Sequence, residues 1–283
     1  MSDHSGVLYI VATPLGNLGD MSQRAIDTLQ QVDLIAAEDT RHSKKLLQHF
    51  GIDKPMIAFH EHNERDRASE ILNQLLDGRR IALISDAGTP LISDPGYHLI
   101  RQLHAAGLRV VPIPGPSAVI TALCAAGLPT DHFCFEGFLP SKAGAREKSL
   151  HKLAQASRTL VFYESPHRLL ETLKAMMQVF GPDRCMTLAR ELTKTFETIH
   201  QDTIANIVSW VEENPEQQKG ESVLIIEGAA HQASDRCEVD SGKLLLTLLS
   251  CMSVKDAAHH AAKLTGQSKN ELYQRALHIK QGD

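Results

Sequence analysis

The chain has 283 residues, 42% apolar and 22% charged, a composition that excludes an intrinsically disordered protein and leaves length for two ordinary cores. No window approaches about eighteen uninterrupted apolar residues, so a membrane-spanning helix is not expected. The formal charge of −5 argues against a surface basic throughout, but six Lys/Arg face three Asp/Glu from Ser241 onward, a net of +3 against −8 before it.

In chain order, MSDHSGVLYIVATP lacks a basic segment and runs straight into a strand, so it does not read as a signal peptide. VLYIVAT (7–13) is that strand, ended by Pro14, and Ser22 reads as the N-cap of a helix through Gln31. DLIAAE (33–38) is a second strand, followed by a helix from Ser43 to Phe50 and a third strand, MIAF (56–59). After Asn63, the apolar residues Ala68, Ile71, Leu72, Leu75 and Leu76 recur at helical spacing up to Gly78. RIALIS (80–85) is a fourth strand, and Asp94-Pro95 reads as an N-cap and first-turn proline of a helix ending near Gly107. RVVPI (109–113) is a fifth strand, with Ser117 capping an alanine-rich helix to Ala126. Strands alternating with helices predict an α/β domain over residues 1–127 with a mainly parallel, doubly covered sheet.

GLPTDHF (127–133) reads as a linker into a second α/β domain over 128–228, where the order changes. FCFEGF, a polar helix over 142–157, TLVFYES and a helix over 166–179 lead to CMTLARE and KTFETIHQD. Those last two, adjacent strands without a helix between them, predict a hairpin in a mixed sheet. A helix around Trp210 and the strand SVLIIEG (222–228) complete the domain. The stretch 229–240 reads as polar and structureless, and 241–283 as a tail of three short helices. Cys124, Cys134, Cys185, Cys237 and Cys251 form no CxxC pair, which fits reduced thiols in a cytoplasm.

Ligands of parallel sheets sit beyond the carboxyl ends of the strands, which directs attention to the loops. TPLGNLGD carries Gly16 and Gly19, where backbone can approach a ligand, but no GxGxxG or GxxxxGK[ST] exists to support a nucleotide reading. AEDTRH holds Glu38, Asp39 and Arg41, a charge density suited to a ribose or a phosphate and equally to a solvated loop. FHEHNE sets His60 and His62 two apart without a third ligand, so no metal site is expected. SDAGTPLISDPG (85–96) is the most informative, a stiff turn of two glycines, two prolines and two aspartates after an apolar strand; IPGPSA (113–118) repeats the device.

Seven segments, TPLGNLGDMS, AEDTRHS, FHEHN, SDAGTPLISDPG, IPGPSA, EGFLP and YESPHRL, occur in an order and spacing similar to the ribosomal RNA small-subunit methyltransferase I family, a branch of the tetrapyrrole-methylase superfamily. The likeness spans residues 7–228. It implies a two-domain tetrapyrrole-methylase-like α/β fold with a cofactor cleft between the domains, a small helical tail and, usually, a homodimer. The implied reaction is S-adenosylmethionine-dependent 2′-O-methylation of cytidine 1402 of 16S ribosomal RNA in the cytoplasm. Carried over by position, Leu15 and Gly16, Asp86, Gly88, Thr89 and Leu91, Ser117 and Ala118, and Tyr163 would meet the cofactor.

A sulfonium-bound methyl needs an aligned oxygen and a group to take its proton, so the candidate bases are Glu38, Asp39, His60 and Glu61, among which the sequence does not choose. Arg41, Lys142, Arg146 and Arg168 are the candidate RNA-phosphate contacts. The tail VKDAAHHAAKLTGQSKNELYQRAL resembles a helix-turn-helix broken at Gly266, and its charge favours RNA; packing on a partner subunit is the alternative. Two other activities share the fold: C-methylation of a tetrapyrrole precursor, and a catalytically silent RNA-binding factor. A tetrapyrrole gives no reason for a basic tail, and intact cofactor loops argue against silence.

Overall fold

The computed structural model describes residues 6–229 and 241–281. Cys237 and most of the polar stretch expected at 229–240 lie outside them. Residues 6–229 form one compact unit and the helical tail another.

Five strands build the first sheet: β1 (Val7–Val11), β2 (Leu34–Ala37), β3 (Met56–Ala58), β4 (Arg80–Ile84) and β5 (Arg109–Ile113). All pair in parallel, in the order β3-β2-β4-β1-β5. Successive side chains of a strand point to opposite faces, so both faces of a sheet covered by helices must be apolar. Leu8, Ile10, Ile81 and Leu83 accordingly pack on Ile71 and Leu75 of α3 (Glu64–Leu76) and on Leu99 and Leu103 of α4 (Tyr97–Ala105). Val11, Ile35, Ala82 and Ile84 meet Ala25 and Leu29 of α1 (Gln23–Gln31) and Leu47 of α2 (Thr40–His49).

The second sheet contains β6 (Phe133–Phe138), β7 (Thr159–Glu164), β8 (Cys185–Arg190), β9 (Thr198–Thr203) and β10 (Ser222–Ile226). Its order is β6-β7-β10-β8-β9; β6 and β7 are parallel and the other pairs antiparallel. Leu160, Phe162, Leu188 and Leu224 face α6 (Ala143–Leu153), α7 (Leu169–Phe180) and α8 (Ile204–Glu213), through Leu150, Leu173, Met176 and Ile207. The opposite face, Val161, Ala189, Val223 and Ile225, is covered by Val119, Ala122 and Leu123 of α5 (Ala118–Ala125). That helix precedes the expected linker at 127–133 in sequence, yet it packs on the second sheet, so the change of sheet occurs at the loop before it.

Helix starts depart from expectation at three points. Asp39 accepts hydrogen bonds from the amides of Arg41 and His42, so α2 begins at Thr40, three residues before Ser43. Asn63 precedes α3 without capping it; its side chain accepts from the His60 amide at 2.9 Å and donates to the Ala58 carbonyl at 3.1 Å. The helix expected to start at Asp94-Pro95 starts at Tyr97, with Gly96 at φ 139° in the capping position.

In the tail, α9 (Ser241–Leu249), α10 (Val254–Thr265) and α11 (Lys269–Gln281) enclose Leu245, Ala258, Ala261, Leu272 and Ala276. Gly266 ends α10 in the left-handed conformation at φ 67°, a cap that favours glycine.

Candidate active site

The strand order sets β4, β1 and β5 side by side, so the three loops beyond their carboxyl ends meet. Two backbone hydrogen bonds join the first pair: the Thr13 amide donates to the Gly88 carbonyl at 2.8 Å, and the Gly88 amide to the Thr13 carbonyl at 3.0 Å. Gly88 adopts φ 81°, where a side chain is strained, and a Cβ there would lie 3.3 Å from the Leu15 side chain. The Thr13 hydroxyl donates to the Ser85 carbonyl at 3.1 Å, and the Thr89 hydroxyl ties the β4 loop to the Pro116 carbonyl at 2.9 Å.

Facing these loops is an edge of the second sheet where the end of β7, the start of β10 and the turn after β8 lie together. Between the two runs a cleft of about 350 Å³, a volume within the range of small-molecule sites. Leu15, Gly88, Thr89, Ile92, Asp94 and Ala118 form one wall; Phe138, Tyr163, Glu164, Lys194 and Val223 are on the other.

Of the nine residues expected around a cofactor, Leu15, Gly88, Thr89, Ala118 and Tyr163 thus line this cleft. The other four shape its surroundings. A Cβ on Gly16 would overlap the Lys194 side chain, so the first loop seats closely against the second sheet's turn. Asp86 accepts from the Asp39 amide at 3.1 Å, while its own amide faces Glu38 Oε2 at 3.4 Å. Leu91 turns into the first core and away from the cleft. Ser117 holds the capping position of α5 without a side-chain bond, and opens onto an adjacent depression shared with Leu15, Asp20 and Thr121.

None of the four candidate bases is in the cleft wall. Glu38 stands behind it, its carboxyl pushed up from the ordinary range by burial and by Asp86 and Asp39, against the Asp86 amide that lowers it. Hydrogen bonds from Arg41 hold Asp39 below the usual carboxylate range, consistent with its work as a helix cap. Glu61 is exposed. His60 has Nε2 3.3 Å from Asn63 Nδ2 and a buried Nδ1 without a partner. No group of three His, Cys, Asp or Glu able to hold a metal occurs among the described residues.

The basic residues divide. Arg41 and Lys142 are exposed, Arg41 paired with Asp39. Arg146 was expected on a surface strip but is only 4% exposed, because α6 turns it inward to meet Glu171 at 3.2 Å. Arg168 donates to the Leu139 carbonyl at 2.6 Å and to Glu164 at 3.3 Å, which clamps EGFLP onto the β7 turn. Glu164, buried, also accepts from the Ser165 amide at 2.8 Å and the Thr172 hydroxyl at 2.6 Å.

Among the cleft residues that escaped the sequence reading, three bear on its chemistry. Phe138 is 54% exposed, follows a bulge at Phe135/Gly137, and stands edge-on to Tyr163 with ring centroids 5.5 Å apart. An exposed aromatic ending a strand was the signal available. Lys194 bridges Glu191 at 2.8 Å and Glu221 at 3.1 Å; burial opposes its charge, but these bonds outweigh it and raise its pKa. Asp94 was read as a cap. Its carboxyl is pushed up to about 6 by burial, then by Glu38 and Asp86, against a hydrogen bond from Ser85. Just before it, Leu91 and Ser93 adopt φ 74° and 70°, a conformation that costs a side-chain-bearing residue roughly 1–2 kcal/mol. Glu64 steadies the loop's far end, accepting from the Gly96 and His98 amides at 3.1 and 3.0 Å. Tyr163 is likewise pushed up to about 12, by burial and then by Asp94.

Comparison with known proteins gives a consistent result. The model of the Tetrapyrrole (Corrin/Porphyrin) Methylases matches residues 7–208, and that of the RsmI C-terminal HTH domain matches 237–280. The chain is 54% identical to "Ribosomal RNA small subunit methyltransferase I" of Haemophilus influenzae over 98% of both chains. The protein of the same name from Pseudomonas aeruginosa is 53% identical over 96% of this chain and 97% of its own. Among solved structures, diphthine synthase superposes with a TM-score of 0.60 at 12% identity, covering 79% of this chain and 90% of its own. The methyltransferase CobJ gives 0.59 at 22%, covering 80% and 95%. At such identities the likeness is one of fold.

Proposed function

The chain belongs to the tetrapyrrole methylase family, in its ribosomal RNA small-subunit methyltransferase I branch, and from that premise we propose its activity. It transfers a methyl group from S-adenosylmethionine to the 2′-hydroxyl of a cytidine ribose in 16S ribosomal RNA, cytidine 1402 by the same resemblance. The observation that carries this reading is 54% identity to the Haemophilus relative over 98% of both chains, tail included.

The cleft fits the cofactor. Leu15, Ala118 and Val223 suit an adenine ring, and Gly88 leaves the backbone open where a Cβ would meet Leu15. The carboxylates Glu38, Asp86 and Asp94 surround the floor with negative potential that favours a sulfonium cation. When bound, the cofactor supplies a methyl group already activated by positive sulfur. The chain's part is to hold the ribose oxygen in line, exclude water and accept a proton. Leu15, Gly88, Thr89, Ala118 and Tyr163 would touch the cofactor; Gly16, Asp86, Leu91 and Ser117 would hold the loops that do. Phe138 offers a face on which an unstacked base can lie.

Arg41, Lys142 and the tail, net +3, would meet phosphate. A homodimer acting in the cytoplasm, on 16S RNA or the small subunit, completes the reading; no helix among the described residues is long and apolar enough to cross a membrane. The test is mass mapping of 16S RNA from a strain lacking the gene, with and without its restoration. A methyl group on one cytidine ribose that disappears and returns supports the reading. An unchanged 16S RNA, with methylation of a tetrapyrrole precursor or with no binding of S-adenosylmethionine in calorimetry, overturns it.

A further inference from the structure

We propose that the Asp94 carboxylate is the catalytic base that takes the proton of the target hydroxyl, an inference that rests on the methyl-transfer reading above. Three carboxylates line the cleft: Asp94, Glu164 and Glu221. Glu164 is fully engaged by Arg168, Thr172 and the Ser165 amide. Glu221 is paired with Lys194. Asp94 has no cationic partner among the described residues and lines the cleft, in a loop held in an unusual path by Leu91 and Ser93 at positive φ. Glu38, Asp39, His60 and Glu61 do not reach the wall.

The charged surroundings suit a base more than an anchor. Glu38 from the end of β2 and Asp86 from the end of β4 repel the ionised form; Ser85 donates to it; Tyr163 faces it from β7, and Lys194 lies across the cleft, held by Glu191 and Glu221. His60 acts on Glu38. A pKa of about 6 leaves the carboxylate ionised at neutral pH yet far more basic than an ordinary aspartate, which is what proton transfer from a weakly acidic hydroxyl requires. In the step itself, the hydroxyl O–H bond breaks as the new O–C bond forms. The O–H electron pair stays on oxygen, which attacks the methyl carbon; the C–S pair stays on sulfur and cancels its charge; the proton ends on an Asp94 oxygen.

Asp94→Asn tests this with small subunits from a strain lacking the gene. Expected are a kcat lower by about 10²–10⁴-fold, little change in affinity for S-adenosylhomocysteine by calorimetry, and loss of the wild-type acid limb near pH 6. Stability supplies a readout independent of turnover. Because the folded pKa is raised, ionised Asp94 weakens the fold above about pH 6, so Asp94→Asn should raise Tm there, with a gain that shrinks between about 6 and 3.8. Should the variant not fold, carboxyl carbon NMR of the wild-type protein reads the Asp94 titration directly. A kcat within about threefold of wild type, a lost S-adenosylhomocysteine affinity with kcat intact, a pH-independent Tm gain, or titration below about 4.5 would each overturn the assignment. Wild-type enzyme that methylates no RNA would instead sink the reading on which it rests.

Discussion

The two sheets that border the cleft have five strands each but secure their loops by different means. The parallel sheet points every carboxyl end the same way, and its loops are joined by backbone bonds and a hydroxyl: Thr13 with Gly88, Thr89 with Pro116. In the mixed sheet the carboxyl ends of β6 and β7 and the turn after β8 reach the cleft beside the start of β10, and charged side chains fix them: Arg168 with Glu164, Lys194 with Glu191 and Glu221. Backbone bonds between loops are insensitive to salt and pH but intolerant of a wrong φ. Ion pairs are the reverse, and their worth depends on how far they are buried. The cleft thus has one wall set by conformation and one set by charge.

The buried charge should give the largest break in this comparison. Glu164→Ala leaves Arg168 and Thr172 without their acceptor, and should lower folding stability by about 3 kcal/mol in urea denaturation; a loss under about 1 kcal/mol would mean the second wall does not depend on that hub. On the first wall, Gly88→Val sets a β-branched residue at φ 81° against Leu15. It should cost about 2 kcal/mol, equally in low and high salt, and weaken S-adenosylmethionine binding measured by calorimetry. Unchanged affinity in a folded variant would remove Gly88 from the cofactor's surroundings.

Deleting residues 241–283 should cut RNA affinity on the order of tenfold and flatten its salt dependence, each lost phosphate contact lowering the slope by about 0.7–0.9. Cofactor affinity should hold, since the cleft is built within residues 7–229. Normal RNA binding with a dimer falling to monomers in sedimentation would make the tail an assembly element. The smallest effect belongs to Lys194→Met, whose partner Glu221 is largely exposed. The loss should stay under about 1 kcal/mol and fade in high salt. Glu191 has a lowered pKa, so its share of this bridge is present above the ordinary carboxylate range and lost as pH falls. A Tm difference between Lys194→Met and wild type that persists unchanged at acid pH would contradict the ion-pair account.

Much of the parallel sheet was legible because local rules decide it. Apolar runs such as VLYIV and RIALI, the Ser22 cap, whose hydroxyl accepts from the Ala25 amide, and the glycine stops each act within a few residues. The α2 start was missed because Asp39 was weighed as chemistry when its carboxylate was a cap. Arg146 was misplaced because a charged residue in a polar stretch reads as exposed, whereas α6 packs it inward and its guanidinium meets Glu171, 25 residues away. Asp94 shows the same limit in the cleft. Before proline it looks like a helix start, whereas its raised pKa comes from burial first and then from Glu38 and Asp86, brought in by β2 and β4.

The sequence by itself determined the alternation of strands and helices, the loops that matter and, through seven spaced segments, the family. Those features follow from backbone propensity and from residues close along the chain. Only the tertiary structure decided which carboxylates line the cleft, which arginines are buried, and that α5 covers the second sheet. Each of these depends on strand order and on burial, which bring distant charges within a few ångströms and set their energies by an environment that no short segment encodes.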